Sequence, residues 1–452
     1  MENRLVDQRL ACFPTSTILK SYGGQIRLEI ADCDLQGLAD IYGTPLYIYD
    51  SATLDHQITN YFQSLAHFYS AQGGLTYASK PFLCLAIAQW IMHHDAWLDC
   101  TGAGEISIAS AASIPRSKIL VHGVNKSHED LHAALAYAGT IVVDNLQEIS
   151  RLVELSVERS RQLPNIWLRF RPGMVVDTHD YTQTGQHDSK FGMEADEIKT
   201  AVRICLDTSL PLTGLHFHLG SQFRDPKPLG GAINTLMDLV QSIHLSTGWY
   251  PGVICPGGGW GVAYHENDLP QPSIDEYVQF IADHLIGACH DRKLPLPRLQ
   301  LEPGRSLVAR AGVAIYRIGA IKNTPGRRWL LVDGGIADNP RPALYNARYT
   351  ALPVLEPERP CSGPAWLAGP YCESGDILIN DLPLPDMTPG ELIAVPASGA
   401  YHLSMGSNYN GARRPAVLWL EKGEARLIQR RETLAELHDR DLPLPVRPES
   451  SL

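Results

Sequence analysis

Between residue 75 and about residue 301 the chain alternates two textures. Short apolar runs at 75–78, 97–100, 119–121, 141–143, 166–170, 212–217, 253–255 and 299–301 have the length of buried strands. Longer amphipathic stretches with a helical period lie between most of them, among them 82–93, 147–158, 194–206, 232–244 and 274–288. Repeated strand–helix units predict parallel strands, and eight of them can close a (β/α)8 barrel. The eighth run is followed by Glu302-Pro303-Gly304 rather than by a helix. The helical stretch 51–69, ahead of the first strand, is expected to fill that place in the outer ring.

Beyond about residue 310 the runs 313–318, 329–332, 377–379, 392–395 and 416–420 are short and separated by Pro and Gly, the texture of an antiparallel β domain. The segment 25–30 reads as a strand able to join that domain. The expected fold class is therefore α/β, a TIM-like (β/α)8 barrel plus a C-terminal antiparallel β domain. The expected division is a joining segment over 1–44, a barrel over 45–308 and a β domain over 309–452. The charged, Pro-containing tail after Glu432 is expected to form a helix and then fray.

Composition narrows the function classes. The 452 residues are 44% hydrophobic and 19% charged, with a formal net charge of -11 and no Lys/Arg block. Nucleic-acid binding needs a basic face to displace counterions, so that role is excluded. The nine cysteines contain no CxxC pair, which points to reduced thiols and a cytoplasmic protein. The first residues carry charge at Glu2, Arg4, Asp7 and Arg9 and make a poor signal peptide. The longest apolar stretch, 83–92, is half of the roughly 20 residues that span a bilayer, so no membrane partner is expected.

Barrel active sites lie where strands end. Lys80 follows the first strand, Asp99 and Thr101 close the second, and His218 follows the sixth. Gly257-Gly258-Gly259 follows the seventh, and Glu302 the eighth, with Arg305 three residues on. Each alone has a plain reading: a surface lysine, a tight turn, a structural ion pair. Together they supply an amine for an aldehyde, a backbone cradle for a phosphate and a carboxylate for a pyridine nitrogen, the needs of pyridoxal 5'-phosphate. His216 and His218 share one strand face and could instead hold a divalent metal, as in a barrel hydrolase. The competing reading, preferred here with no metal expected, is one core histidine and one lying flat on a cofactor ring. Cys372-Glu373, far along the chain, reads by itself as a buried cysteine beside a surface acid.

A set of motifs, in order, carries a resemblance. They are Tyr77-Ala78-Ser79-Lys80, Ser189-Lys190-Phe191-Gly192, Gly214-Leu215-His216-Phe217-His218-Leu219-Gly220-Ser221-Gln222 and Pro256-Gly257-Gly258-Gly259-Trp260-Gly261. Glu302-Pro303-Gly304-Arg305, Arg341-Pro342-Ala343-Leu344-Tyr345, Gly369-Pro370-Tyr371-Cys372-Glu373-Ser374-Gly375-Asp376, Gly399-Ala400-Tyr401 and Ser407-Asn408-Tyr409-Asn410 follow. From about residue 44 to 415 the chain resembles the fold type III pyridoxal phosphate decarboxylases, and within them the diaminopimelate decarboxylase family.

The resemblance implies pyridoxal phosphate-dependent decarboxylation of meso-2,6-diaminopimelate to L-lysine and CO2. It implies Lys80, His218 and Cys372 as the catalytic set: Lys80 bonded to the cofactor aldehyde, His218 stacked on its ring, Cys372 returning a proton to the substrate carbon. Glu302 would hold the ring nitrogen protonated. Ser221, Gly257, Gly258, Gly259 and Tyr401 would bind the phosphate. Arg305, Arg341 and Tyr345 would bind substrate carboxylate, with Arg305 and Tyr401 reaching both cofactor and substrate, and Glu373 would bind the distal ammonium. It also implies a homodimer, because Cys372 and Glu373 reach a neighbouring subunit's barrel. The chain departs from the family where Lys80 is followed by Pro81-Phe82 and where Thr101-Gly102-Ala103-Gly104-Glu105 replaces Ser-Gly-Gly-Glu. The alternative within the class is a decarboxylase of D-ornithine, D-lysine, or a siderophore or antibiotic precursor. A regulatory relative without activity is disfavoured, since Lys80 and Cys372 are both present.

Overall fold

In the computed structural model the described residues are 2–157, 163–174, 184–186 and 188–445. Eight parallel strands close into a barrel in chain order. They are β1 (Gly73–Ala78), β2 (Trp97–Thr101), β3 (Ile119–His122), β4 (Thr140–Val143), β5 (Asn165–Arg169), β6 (Leu212–His216), β7 (Val253–Cys255) and β8 (Arg298–Leu301). Closure is made by β8 against β1, with Leu299 opposite Gly73 and Leu301 opposite Leu75. All eight expected runs are strands, displaced by a residue or two at their ends.

The helix Ser51–Phe68 does occupy the gap in the ring. It buries Leu54, Ile58, Tyr61 and Leu65 at helical spacing, and its N-cap Asp50 accepts from the Thr53 amide. The helix expected over 232–244 is longer, Lys227–Thr247. Gly230 and Gly231 do not break it, because each lets a neighbour approach. A Cβ on Gly230 would lie 2.6 Å from the His284 ring, and one on Gly231 2.6 Å from Met174. The helix expected over 147–158 runs Leu146–Val157, and Glu158 lies outside the described residues.

The second layer is a sheet in the order Ile377–Leu384, Gly363–Ala368, Arg327–Val332, Gly312–Thr324, Leu46–Asp50, Ala416–Glu421, Glu424–Gln429. Most pairs are antiparallel. Two are parallel: Arg327–Val332 with Gly363–Ala368, and Leu46–Asp50 with Ala416–Glu421. Leu46–Asp50 is buried at all five positions and sits mid-sheet, so the start of the stretch assigned above to the barrel lies in the β layer. The strand Gln25–Ile30 forms a small sheet with Ile18–Tyr22 and Cys33–Asp34, and touches the β layer through the Arg27–Leu355 bridge. Leu28 and Ile30 share a core with Val313, Ile315 and Leu418. The expected tail helix is a single 3-10 turn, Ala435–Leu437. Nothing there covers an apolar stripe: Leu434 and Leu442 are 67% and 92% exposed.

The barrel interior explains where chemistry can sit. Leu120, Val142, Trp167 and Cys255 form a plug of their own, with Trp97 stacked on Trp167 at 6.1 Å. Two residues further along the same strands or just past them stand His122, Asp144, Arg169 and Gly257. Side chains alternate across a strand, so these also face inward. The bottom of the barrel is therefore packed and its C-terminal mouth is polar. Among the described residues no helix is long and apolar enough to cross a membrane.

Candidate active site

Two adjoining cavities open at the mouth. The smaller, about 350 Å³, is lined by Lys80, Asp99, His122, Arg169, His216, Gly258 and Glu302 among others. The larger, about 470 Å³, is lined by Ser221, Tyr264, Arg305, Arg341, Tyr345 and Tyr401 among others. Lys80, Thr184 and His218 line both and form the waist. The amine of Lys80 makes no hydrogen bond or ion pair with the described residues. The residue before it is anchored, with Ser79 Oγ 2.8 Å from Glu105 Oε2.

Glu302 is held at both oxygens. His122 Nε2 lies 3.1 Å from Oε1 and His216 Nε2 3.0 Å from Oε2. Burial lowers the pKa of both histidines, that of His216 to about 4, against the pull of the carboxylate. They are neutral donors, protonated at Nε2. Burial works against the charge on Glu302, but His216 and His122 outweigh it and hold the carboxyl well below its usual range. Asp99, with an oxygen 4.0 Å from His122 Nε2, goes the other way: burial first, then the Glu302 charge, push it well above that range. One anion, on Glu302, thus faces the cavity. Because both imidazoles are neutral, they hold its oxygens by hydrogen bonds without adding charge of their own.

The glycine run packs three strand-end loops together. A Cβ on Gly258 would lie 2.0 Å from the Glu302 carbonyl oxygen, and one on Gly259 2.0 Å from that of Gly220. Gly257, at φ 75°, faces the His218 ring, where a Cβ would come within 2.6 Å of Nδ1. The Gly258 amide donates to that Nδ1 at 3.3 Å. Burial, with Lys80 and Arg169 nearby, holds His218 well below its usual pKa, so the ring is neutral and fixed. Ser221 Oγ lies 3.0 Å from Arg305 Nη2, beside the cradle. Backbone approach of this kind, a buried anion and a flat neutral ring fit a planar phosphorylated pyridine.

Arg169 is turned inward by the Ser189–Gly192 motif. Its guanidinium lies 4.5 Å from the Phe191 ring centre and 3.5 Å from Asp144, whose other oxygen accepts from the Gly192 amide. In the larger cavity Arg305 lies over Tyr401 at 4.6 Å, and Arg341 over Tyr264 at 4.5 Å. Burial opposes ionisation of Tyr264, yet the two arginines pull its pKa down. Arg341 and Tyr345 open and close one short helix, Arg341–Tyr345. The Tyr401 amide donates to Pro81 O at 2.8 Å, so that residue is tied to the loop bearing Lys80.

Eleven residues expected at a site thus converge: Lys80, His218, Ser221, Gly257, Gly258, Gly259, Glu302, Arg305, Arg341, Tyr345 and Tyr401. Cys372 and Glu373 do not. Both are exposed, on a turn where the Cys372 amide donates to Asn410 Oδ1 at 2.9 Å, and neither lines the two cavities. Cys372 is therefore not the buried cysteine its residue type suggests. His216 and His218 do not act as a pair: His216 joins His122 and Glu302, whose nitrogen and oxygen atoms lie within 4.8 Å of one another. Sequence reading missed His122, Arg169, Tyr264, Tyr349 and His402. His122 ends β3, one residue beyond the run taken as a strand, and the strand-end rule would have found it.

Residues 54–309 match the family model described as pyridoxal-dependent decarboxylase, pyridoxal binding domain. The chain is 39% identical over 427 residues to the diaminopimelate decarboxylase of Halalkalibacterium halodurans, covering 93% of this chain and 96% of that one. It is 39% identical over 423 residues to that of Bacillus subtilis, covering 92% and 95%. The crystal structure of the M. jannaschii diaminopimelate decarboxylase in complex with L-lysine superposes with a TM-score of 0.87 at 28% identity, over 95% of this chain and 98% of that one.

Proposed function

Because the chain belongs to the pyridoxal-dependent decarboxylases, in the diaminopimelate decarboxylase family, we infer that it decarboxylates meso-2,6-diaminopimelate to L-lysine and CO2 with pyridoxal 5'-phosphate. The observation that carries this reading is the meeting, across one waist, of a free amine, a buried carboxylate and a glycine cradle on one side and two buried arginines on the other.

When bound, the cofactor supplies an electron-poor ring conjugated to the substrate amine, which takes up the electron pair left as CO2 departs. The chain's own residues do the rest. Lys80 anchors the aldehyde end. Glu302, ionised and held by two neutral imidazoles, keeps a proton on the ring nitrogen. His218, pinned by Gly258 at the waist of the two cavities, would lie against the cofactor and exclude water there. Ser221 and Gly257–Gly259, with Arg305 and Tyr401, hold the phosphate.

Arg305, Arg341 and Tyr345 would grip the carboxylate that stays and so fix the orientation of the one that departs. Orientation of this kind is worth up to about 7–11 kcal/mol in the best intramolecular cases. An arginine fork matches a carboxylate, and diaminopimelate carries one at each end where simple diamines carry none.

Cys372 and Glu373 complete the site from a second protomer in a homodimer. The thiol of Cys372 delivers a proton to Cα, and Glu373 takes the distal ammonium. Their exposure, and their absence from the linings of the two cavities that Lys80 joins, support this arrangement. The nine free cysteines support a cytoplasmic setting. The test is an assay of purified protein with pyridoxal phosphate and meso-diaminopimelate, detecting lysine and CO2, beside D-ornithine and D-lysine. A kcat/KM for diaminopimelate at or below those of the others overturns the assignment.

A further inference from the structure

A run of buried hydrogen bonds leads from Arg341 away from the cavity into the β layer. Arg341 Nη1 donates to Tyr349 Oη. Tyr349 Oη lies 2.8 Å from His402 Nε2, and His402 Nδ1 lies 3.3 Å from Tyr47 Oη. Tyr47 Oη lies 2.8 Å and Tyr316 Oη 2.7 Å from the same oxygen of Asp338, Oδ2. The other oxygen, Oδ1, accepts from the Gly335 amide at 2.8 Å. All six side chains are at most 5% exposed.

The two ends dictate where every proton lies. A guanidinium only donates, and the Asp338 carboxyl, pushed up by burial to about 6, is ionised at neutral pH and only accepts there. Tyr349 therefore accepts from Arg341 and turns its own hydrogen to His402 Nε2. His402 must be neutral with its proton on Nδ1, which it gives to Tyr47. Tyr47 in turn donates to Asp338. The opposite tautomer would strand the Tyr349 hydrogen in a dry interior and take a donor from Asp338, and an unmade buried bond is costly. Burial, with Arg341 and Arg305 close by, keeps His402 uncharged and agrees with this direction.

We infer that Tyr349 and His402 are positioning residues that aim the Arg341 guanidinium at the substrate carboxylate. Neither lines the cavity that Arg341 lines. The inference rests on the reading of Arg341 as a carboxylate binder. One N–H is fixed by Tyr349 and the guanidinium lies over Tyr264, so that Arg341, which lines the cavity, offers its remaining N–H groups from a fixed position. An untethered arginine would be only a swinging charge and would spend side-chain entropy on each binding event.

The test uses the holoenzyme with Tyr349→Phe, which keeps the ring, and His402→Leu. KM for meso-diaminopimelate should rise roughly tenfold, the scale of a lost hydrogen bond to a charged group, with kcat and the visible band of the bound cofactor little changed. His402→Gln should restore KM, because its amide accepts from Tyr349 and donates to Tyr47. A nitrogen-15 histidine spectrum should place the His402 proton on Nδ1. Arg341→Gln is measured in parallel. If it leaves KM unchanged, the reading of Arg341 falls. If it raises KM while Tyr349→Phe and His402→Leu do not, the positioning inference falls alone. A proton found on Nε2 of His402 overturns it as well. If His402→Leu fails to fold, Tyr349→Phe decides.

Discussion

The two ends of the site are built differently. At the cofactor end Glu302 is 7% exposed, both its oxygens are occupied by imidazoles, and the glycine cradle is closed by backbone contacts under 3 Å from any added Cβ. At the far end Cys372 and Glu373 stand exposed on a turn, where the Cys372 amide donates a hydrogen bond to Asn410 Oδ1 and the other contacts lie within the turn itself. The first is finished within one protomer. The second has functional residue types without a site of their own. In the proposed homodimer the difference has a simple meaning: cofactor chemistry is a property of one protomer, and substrate reading at the distal end belongs to the pair.

The harshest way to break the comparison is Lys80→Ala. Turnover should vanish while thermal stability stays near wild type, since an exposed strand-end lysine adds little to packing. Borohydride should then no longer fix the cofactor to the protein. Near-normal turnover would refute the cofactor end.

Mixing Lys80→Ala with Cys372→Ala protein tests the assembly. Each is inactive alone, yet a mixed twofold dimer has one site with both residues intact, so random exchange should restore roughly a quarter of wild-type activity. No recovery after verified exchange would place both groups in one protomer.

Smaller still is the effect of Glu373→Ala. KM for diaminopimelate should rise roughly tenfold with cofactor affinity unchanged, the cost of losing a charge-assisted bond to the ammonium. An unmoved KM would show that another residue reads the distal end.

The finest probe is Asp99→Asn at the cofactor end. Asp99 holds its proton in the fold at pH values where the unfolded chain, titrating near 4, has released it. The native state thus binds more protons above that point, and this group makes stability fall as pH rises until its own raised pKa is passed. The neutral amide removes that slope. Urea titrations at pH 4 and pH 8 should show the variant gaining on wild type at the higher pH, and equal differences at both would contradict a protonated Asp99.

Much of this architecture is legible in the amino-acid order. Strand positions are, because a buried parallel strand must be apolar on both faces and its ends are marked by Gly, Pro and charge. Lys80, Gly257–Gly259 and Glu302 are, because reactive types fall at strand ends. Other features are not. Leu46–Asp50 reads as the approach to a barrel and is a central strand of the other layer, since no local pattern distinguishes which sheet a short buried run will enter. The helix expected from residue 232 begins at Lys227 and takes Gly230 and Gly231 into its interior, because the reason for those glycines is His284 and Met174, distant in sequence.

The chain by itself thus determined the repeating units, the barrel they close and the reactive residue types at its strand ends, all of which follow from periodicity over a few residues and from what stands where each run stops. Only the tertiary structure decided which carboxyl bears the charge, which two histidines hold it, and which tyrosine and histidine aim Arg341. Those outcomes depend on burial and on hydrogen bonds between positions dozens to hundreds of residues apart, and no spacing along the chain encodes them.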